Sequence, residues 1–459
     1  MSAAPAEMPE MQSAHRGGHR SRHGSGSGFW LLAALLVLVI TVPLPDGGLW
    51  LGARAFAVEA VAIILAVSIV STGEWTRQRI RAALTAAPNV AIGLFLLWVG
   101  ISAARSDLPE LSRYEAMRHL GGGLIYFGVV YGFSVRRHLG KLVVALLAAA
   151  SLAALLAFMM ATDGQTGNLA GALRNHQLLA GILCVSLPIV VVVSQMDEDP
   201  WRRYGAQAAA VIVIAGLLVS RNRSAWLGSA ASLVVLAGLY LRYTRKGRPL
   251  SIRPHQLLLP LATILLAVGL FVGVGRIQGG LPQRAVSLSR LTQDASFQWR
   301  LAMWDKGLRM ANDRPLMGWG IGTYPVQQAL YYHPNAPSRD QKAILTTGPR
   351  LTENAHNTYV QLAAEIGYGG LVLYLAVFGA FFYTTIRGLR QLRVGFRHSI
   401  LVGATAAVAG QMVAAIGTPA WEFPECSLFL WVILGFGIAA AGVGSRGREP
   451  ELTGRSVQH

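Results

Sequence analysis

Two short stretches of the sequence place polar side chains among apolar neighbours. The first is TENAHNTYVQLAAEIGYGG, residues 352–370, where His356 stands just ahead of a long apolar run. The second is SRNRSAWLG, residues 220–228, which crams Arg221 and Arg223 into a connection of a few residues between apolar blocks. Arginine near hydrocarbon is costly and is found paired, snorkelled or functional. Its guanidinium is a permanently charged planar fork that takes phosphate oxygens in pairs. Histidine is the side chain best matched to proton transfer near neutral pH. Arginines with one histidine and no metal-ligand spacing suit displacement at a sugar carbon. Arginine would hold a lipid-linked diphosphate leaving group, and histidine would deprotonate the acceptor hydroxyl.

Plainer roles stand beside this one. His356 could be a buried histidine bonded to backbone, or a residue at a helix start capped by Asn354 or Thr352. If Arg221 and Arg223 are helical they point about 200° apart, so one of the two faces a given site. On a helix starting at His356, Tyr359, Val360 and Ala363 share its face. Glu365, nine residues on, points to the opposite face and is not an obvious partner for the imidazole. Glu353, Asp305 and Asp294 are the candidate partners. In AWEFPEC, Glu422 and Glu425 could line the same mouth, and Trp421 reads as a membrane-interface aromatic. Because arginine keeps its charge, His356 would set the pH dependence, with activity falling at acidic pH and varying between pH 5 and 8.

The elements that must position these residues are membrane spans. Of 459 residues, 53% are hydrophobic and 14% charged, and the mean hydropathy is +0.44. A soluble chain carries nearer a quarter charged residues. The apolar residues are grouped in blocks long enough to cross a bilayer. The net charge of +18 lies in short loops between these blocks, as a topology signal does, which argues against nucleic acid as a partner. Cys184 and Cys426 both fall in apolar segments and make neither a metal site nor a disulfide framework.

The fold expected is an all-α integral membrane protein of about twelve spans with one long, mainly helical outer loop. Residues 1–27 form a basic, disordered tail. Residues 28–275 hold nine spans, near 28–45, 52–72, 87–104, 120–134, 139–161, 177–195, 205–220, 224–241 and 256–275. Residues 276–367 are the long loop, residues 368–445 hold spans near 368–387, 399–416 and 426–445, and 446–459 are a second tail. With both tails in the cytoplasm, every inner piece carries Lys or Arg, Arg136/Arg137/Lys141 and Arg387/Arg390/Arg393 among them. Arg223, Arg300 and His356 then share the outer side. In the long loop, Phe297, Leu301, Trp304, Leu308 and Ala311 recur at helical spacing, so 296–312 reads as an amphipathic helix. Gly318-Trp319-Gly320-Ile321-Gly322 reads as a turn.

Four pieces of sequence resemble the O-antigen ligase and polysaccharide polymerase superfamily of bacterial membrane glycosyltransferases. They are RNHQLLAGILCVSLP, NRSAWLGSAASLVVL, RLAMWDKGLRMANDRPLMGWGIGTYP and ENAHNTYVQLAAEIGYGGLVLYL, in the family's order across residues 170–390. Arg223, Arg300, His356 and Asn357 stand at family motif positions, while Asn222 replaces a serine and Arg221 is extra. The resemblance implies a metal-independent transferase without cofactor, whose donor is an undecaprenyl-diphosphate-linked glycan. It implies that Arg223 and Arg300 bind the diphosphate and that His356 activates the acceptor. Arg221, Arg174 and Asn175 are expected as further substrate contacts, and Asn357 as a group that positions His356 or the sugar. The acceptor expected is lipid A-core, with a growing glycan as the alternative, at the periplasmic face of the inner membrane. A lipid-linked sugar transporter is the rival class, but no paired or inverted halves are visible in the sequence.

Overall fold

A computed structural model describes residues 77–132, 135–162, 176–195, 200–244, 295–335, 354–419 and 421–443. Every regular element among them is helical. In chain order they are α1 (Arg77–Thr85), α2 (Ala87–Ala104), α3 (Pro109–Phe127), α4 (Val135–Thr162), α5 (His176–Ser194), α6 (Pro200–Val219), α7 (Arg223–Leu239), α8 (Ala295–Asp313), α9 (Tyr324–Gln327), α10 (Thr358–Gln391), α11 (Phe396–Ala414) and α12 (Pro424–Ala440). The expected spans near 28–45, 52–72 and 256–275 and both tails lie outside the described residues.

Five helical stretches are long and apolar enough to cross a membrane: Ala87–Ala104, Gly140–Ala157, His176–Ser194, Arg223–Tyr243 and Thr358–Gln391. Arg203–Val219 and Cys426–Ala440 are shorter apolar helices. This is the architecture of a multi-pass membrane protein. The segment expected as a span at 120–134 lies in a helix that starts at Pro109 and continues through a π-helical stretch, Gly128–Gly132, and it is not among these apolar helices. The helix expected from 368 begins at Thr358, and Gly367 (φ 71°, ψ 174°) kinks it.

Helix α5 is the centre of the bundle, with 89% of its apolar window buried against α4, α6, α7 and α11. Helix α7 is peripheral, with 22% of its stretch buried and Leu227 and Val234 turned outward, as lipid-facing residues are. It approaches α11 backbone to backbone. A Cβ on Gly228 would lie 2.6 Å from the Gly410 carbonyl oxygen, and one on Gly410 2.5 Å from that of Gly228. Apolar side chains do not drive helices together in lipid, so close packing of small residues has to.

One end of the bundle is built from irregular backbone. The Gly318–Gly322 turn expected from the glycines is present, with positive φ at Gly318, Gly320 and Gly322. It is laced to α10: Trp319 N–H donates to the Ala364 carbonyl at 3.0 Å and Gly320 N–H to that of Glu365 at 2.8 Å. The loop before α3 joins the same end, where Asp107 pairs with Arg314 at 2.8 Å and Ser112 Oγ donates to the Ile321 carbonyl at 2.6 Å.

Helix α8 forms where expected but packs on another face. Ala302, Met303, Lys306 and Met310 are buried, with Ala311 alone of the expected stripe fully so, whereas Leu301 and Leu308 are exposed. The cause is the space its neighbours leave: a Cβ on Gly307 would meet Val360 Cγ1 at 2.5 Å, so the helix presents its small residues to α10. Lys306 Nζ, fully buried, donates to Gln328 Oε1 at 2.9 Å.

Candidate functional site

His356 lies in a turn, two residues ahead of α10, with φ 52°. Tyr359, Val360 and Ala363 therefore do not share a helix face with it, as a helix starting at His356 would require. A non-glycine residue held in the left-handed region costs about 1–3 kcal/mol and persists only where its surroundings over-determine it. They do so here. His356 N–H donates to Asn354 Oδ1 at 3.0 Å, and Ala355 N–H to Gln361 Oε1 at 3.1 Å. Asn357 is the helix cap, its Oδ1 accepting from the N–H groups of Tyr359 and Val360 at 3.0 and 3.2 Å. Neither Asn354 nor Thr352 fills that place; Thr352 lies outside the described residues. Thr358 N–H donates to the Ala415 carbonyl at 3.0 Å.

The imidazole meets α5. Gln177 Nε2 lies 3.4 Å from His356 Nδ1. Burial, then the charges of Arg300 and His176, lower the His356 pKa to about 4. Of the carboxylates expected as partners, Asp305 pairs with Arg309 at 3.0 Å on the surface of α8, and Asp294 and Glu353 lie outside the described residues. The partner is an amide, which orients a ring without adding charge.

Arg300, in the first turns of α8, reaches the start of α7, with its Nη1 3.4 Å from Ser224 Oγ. Arg223 is the first residue of α7, and Arg221 sits in the preceding turn with φ 54°. Since Arg221 is not helical, the 200° rule does not apply between the two, and both are partly buried. Asn222 caps α7, its Oδ1 accepting from Ala225 N–H at 3.0 Å and from Thr418 Oγ1 at 3.3 Å. Gly417 is needed beside them, because a Cβ there would lie 2.2 Å from Ser224 Oγ and 3.4 Å from Arg300 Nη1. Arg174 and Asn175 lie outside the described residues.

The starts of α5, α7 and α10 thus meet the first turns of α8 and the 415–418 connection. Three positive helix ends and arginine charge favour an anion there. Neutral His356 adds a proton acceptor at its edge. The sequence reading passed over His176, Gln177 and Ser224, although two of them lie in RNHQLLAGILCVSLP; a polar residue opening an apolar block reads as a helix end.

Glu365 does not reach the imidazole, as its spacing indicates. It clamps the glycine turn, accepting from Gly322 N–H at 2.9 Å, Tyr324 N–H at 3.1 Å and Gln361 Nε2 at 3.1 Å. Trp421 is not an interface aromatic: it is buried, stacked on His119 with centroids 5.7 Å apart, and its Nε1 donates to His119 Nδ1 at 3.1 Å.

No curated protein matches the chain. Residues 208–375 match the model of the O-antigen ligase family, a stretch that contains Arg221, Arg223, Arg300, His356 and Asn357. Over that segment the chain is similar to the O-antigen ligase family.

Proposed function

We propose that the protein transfers a glycan from an undecaprenyl-diphosphate carrier to a lipid A-core type acceptor at the periplasmic face of the inner membrane, without a metal. The observation that carries this reading is the neutral His356 set beside Arg300 at the meeting of three helix starts. Arg300 and Arg223 hold the diphosphate, with Arg221, Arg174 and Asn175 as further contacts. The acceptor hydroxyl loses its proton to His356 Nε2 as its oxygen bonds to the anomeric carbon. The carbon–oxygen bond to the diphosphate breaks, and the lipid diphosphate leaves with the bonding electron pair. For Nε2 to carry the lone pair, Gln177 presents its amide oxygen to Nδ1–H, a half-turn of the amide that preserves the contact. Asn357 acts through the backbone, capping the helix that follows the base.

The test is transfer by the purified, reconstituted protein, wild type beside His356→Ala, with diphosphate-linked glycan and candidate acceptors. Wild-type transfer to lipid A-core, a loss of about 10²–10⁴-fold in the variant and retained donor binding are expected. Extension of the donor glycan itself would make the protein a polymerase using the same site. Donor movement across vesicles with no bond formed would make it a transporter.

A further inference from the structure

We propose that Glu422 is a positioning residue for His356, acting through the Thr358 hydroxyl. The inference rests on His356 as the base of the proposed transfer. The turn that carries His356 is gripped on both sides. On one, Asn354 Oδ1 takes the His356 N–H at 3.0 Å. On the other, Thr358 Oγ1 donates to Glu422 Oε2 at 3.0 Å, and Trp421 N–H donates to the same oxygen at 3.1 Å.

The second oxygen, Oε1, is buried and has no protein partner among the described residues. Arg118, the nearest candidate by charge, is engaged elsewhere: its Nε donates to Glu115 Oε2 at 2.7 Å and its Nη1 to the Trp421 carbonyl at 2.9 Å. A buried oxygen without a partner is expensive unless water reaches it. A cavity of about 60 Å³ lies beside the turn, lined by Glu115, Arg118, Asn354, Gln361, Glu365 and Glu422 among others. Burial pushes the Glu422 carboxyl up to about 7, against the pull of its hydrogen bonds and of Arg118. A neutral carboxyl leaves no buried charge beside the turn, while Oε2 still accepts from Thr358 and Trp421. Asn354 and Glu422, on opposite sides of His356 in the chain, face one cavity and brace one turn.

The test uses full-length reconstituted protein and follows kcat and donor KM. Glu422→Ala should lower kcat by about tenfold or more, as a misplaced catalytic group does, with donor KM unchanged within about twofold. Glu422→Gln should recover most of the rate, since its amide oxygen still accepts from Thr358 and Trp421. Asn354→Ala and Glu422→Ala together should lose less than the product of the single losses, because both act on one turn. Thr358→Val, a milder change, should lower kcat severalfold without changing the melting temperature, and it decides the question if Glu422→Ala does not fold. Wild-type kcat in folded Glu422→Ala or Thr358→Val, no rescue by Gln, or multiplicative losses would overturn the assignment while leaving an inactive His356→Ala intact. Wild-type transfer by His356→Ala would instead remove the parent reading and this one with it.

Discussion

At the scale of the residue, the imidazole of His356 carries the sharpest prediction. With its pKa lowered to about 4 by burial, Arg300 and His176, the free enzyme holds it neutral from about pH 5 upward. Protonation removes the lone pair, so kcat/KM should be flat between pH 5 and 8 and fall only as pH drops through about 4. This reverses the sequence expectation of a change between pH 5 and 8, which took the ordinary near-neutral pKa of histidine. A bound diphosphate cancels the field of Arg300, so the break in kcat should move to higher pH than the break in kcat/KM. Coincident breaks near 6.5 would place the imidazole in water, away from the arginine. The same geometry gives Gln177 a defined role. Gln177→Leu should lower kcat by about 10–100-fold with donor KM nearly unchanged, because the ring loses the contact that fixes its orientation. An equal rise in KM would assign Gln177 to substrate instead. His356 and the arginines stood out in the sequence because charge is costly among apolar residues. Gln177 and Ser224 did not, because an uncharged residue at a helix start signals nothing until its partner, far away in the chain, is in place.

At the scale of the element, the glycine turn and the start of α10 behave as one clamp. Gly318 and Gly367 approach each other so closely that a Cβ on Gly318 would lie 2.6 Å from Gly367 N, and Glu365 closes the turn from beneath. Glu365→Ala would orphan the N–H groups of Gly322 and Tyr324, at about 1–3 kcal/mol each. It should lower the melting temperature well beyond Asn357→Ala, which removes one helix cap worth about 1 kcal/mol. Thermal unfolding in detergent checks the order, and equal shifts would mean the turn is held without Glu365. The turn was legible because only glycine tolerates its positive φ angles. The clamp was not, since periodicity places Glu365 on a face of α10 but not against the loop it meets. For the same reason the packed face of α8 was misread: its apolar stripe at 301 and 308 is exposed, and the close contact is made by Gly307, which no hydrophobic pattern marks.

At the scale of the molecule, length and composition located helices that the structure contains, while their arrangement stayed hidden. Apolar residues mark a span but not its neighbours, so nothing in the sequence separates the central α5 from the peripheral α7. Charge does speak to orientation, and the structure gathers the segments expected outside, around 107, 221–223, 300–322, 354–357 and 415–422, at one end of the bundle. If that end faces the periplasm, exposed Asn335 lies outside and exposed Val394, between α10 and α11, lies in the cytoplasm. A cysteine placed singly at each position can be probed with a membrane-impermeant maleimide. The native Cys184 and Cys426 are buried, so neither needs removal for the signal to be read. Asn335→Cys should label in right-side-out vesicles and Val394→Cys only in inverted ones. The opposite pattern would place His356 in the cytoplasm, where the donor's glycan would have to be used before it crossed the membrane, and the proposed transfer would have to be abandoned with it.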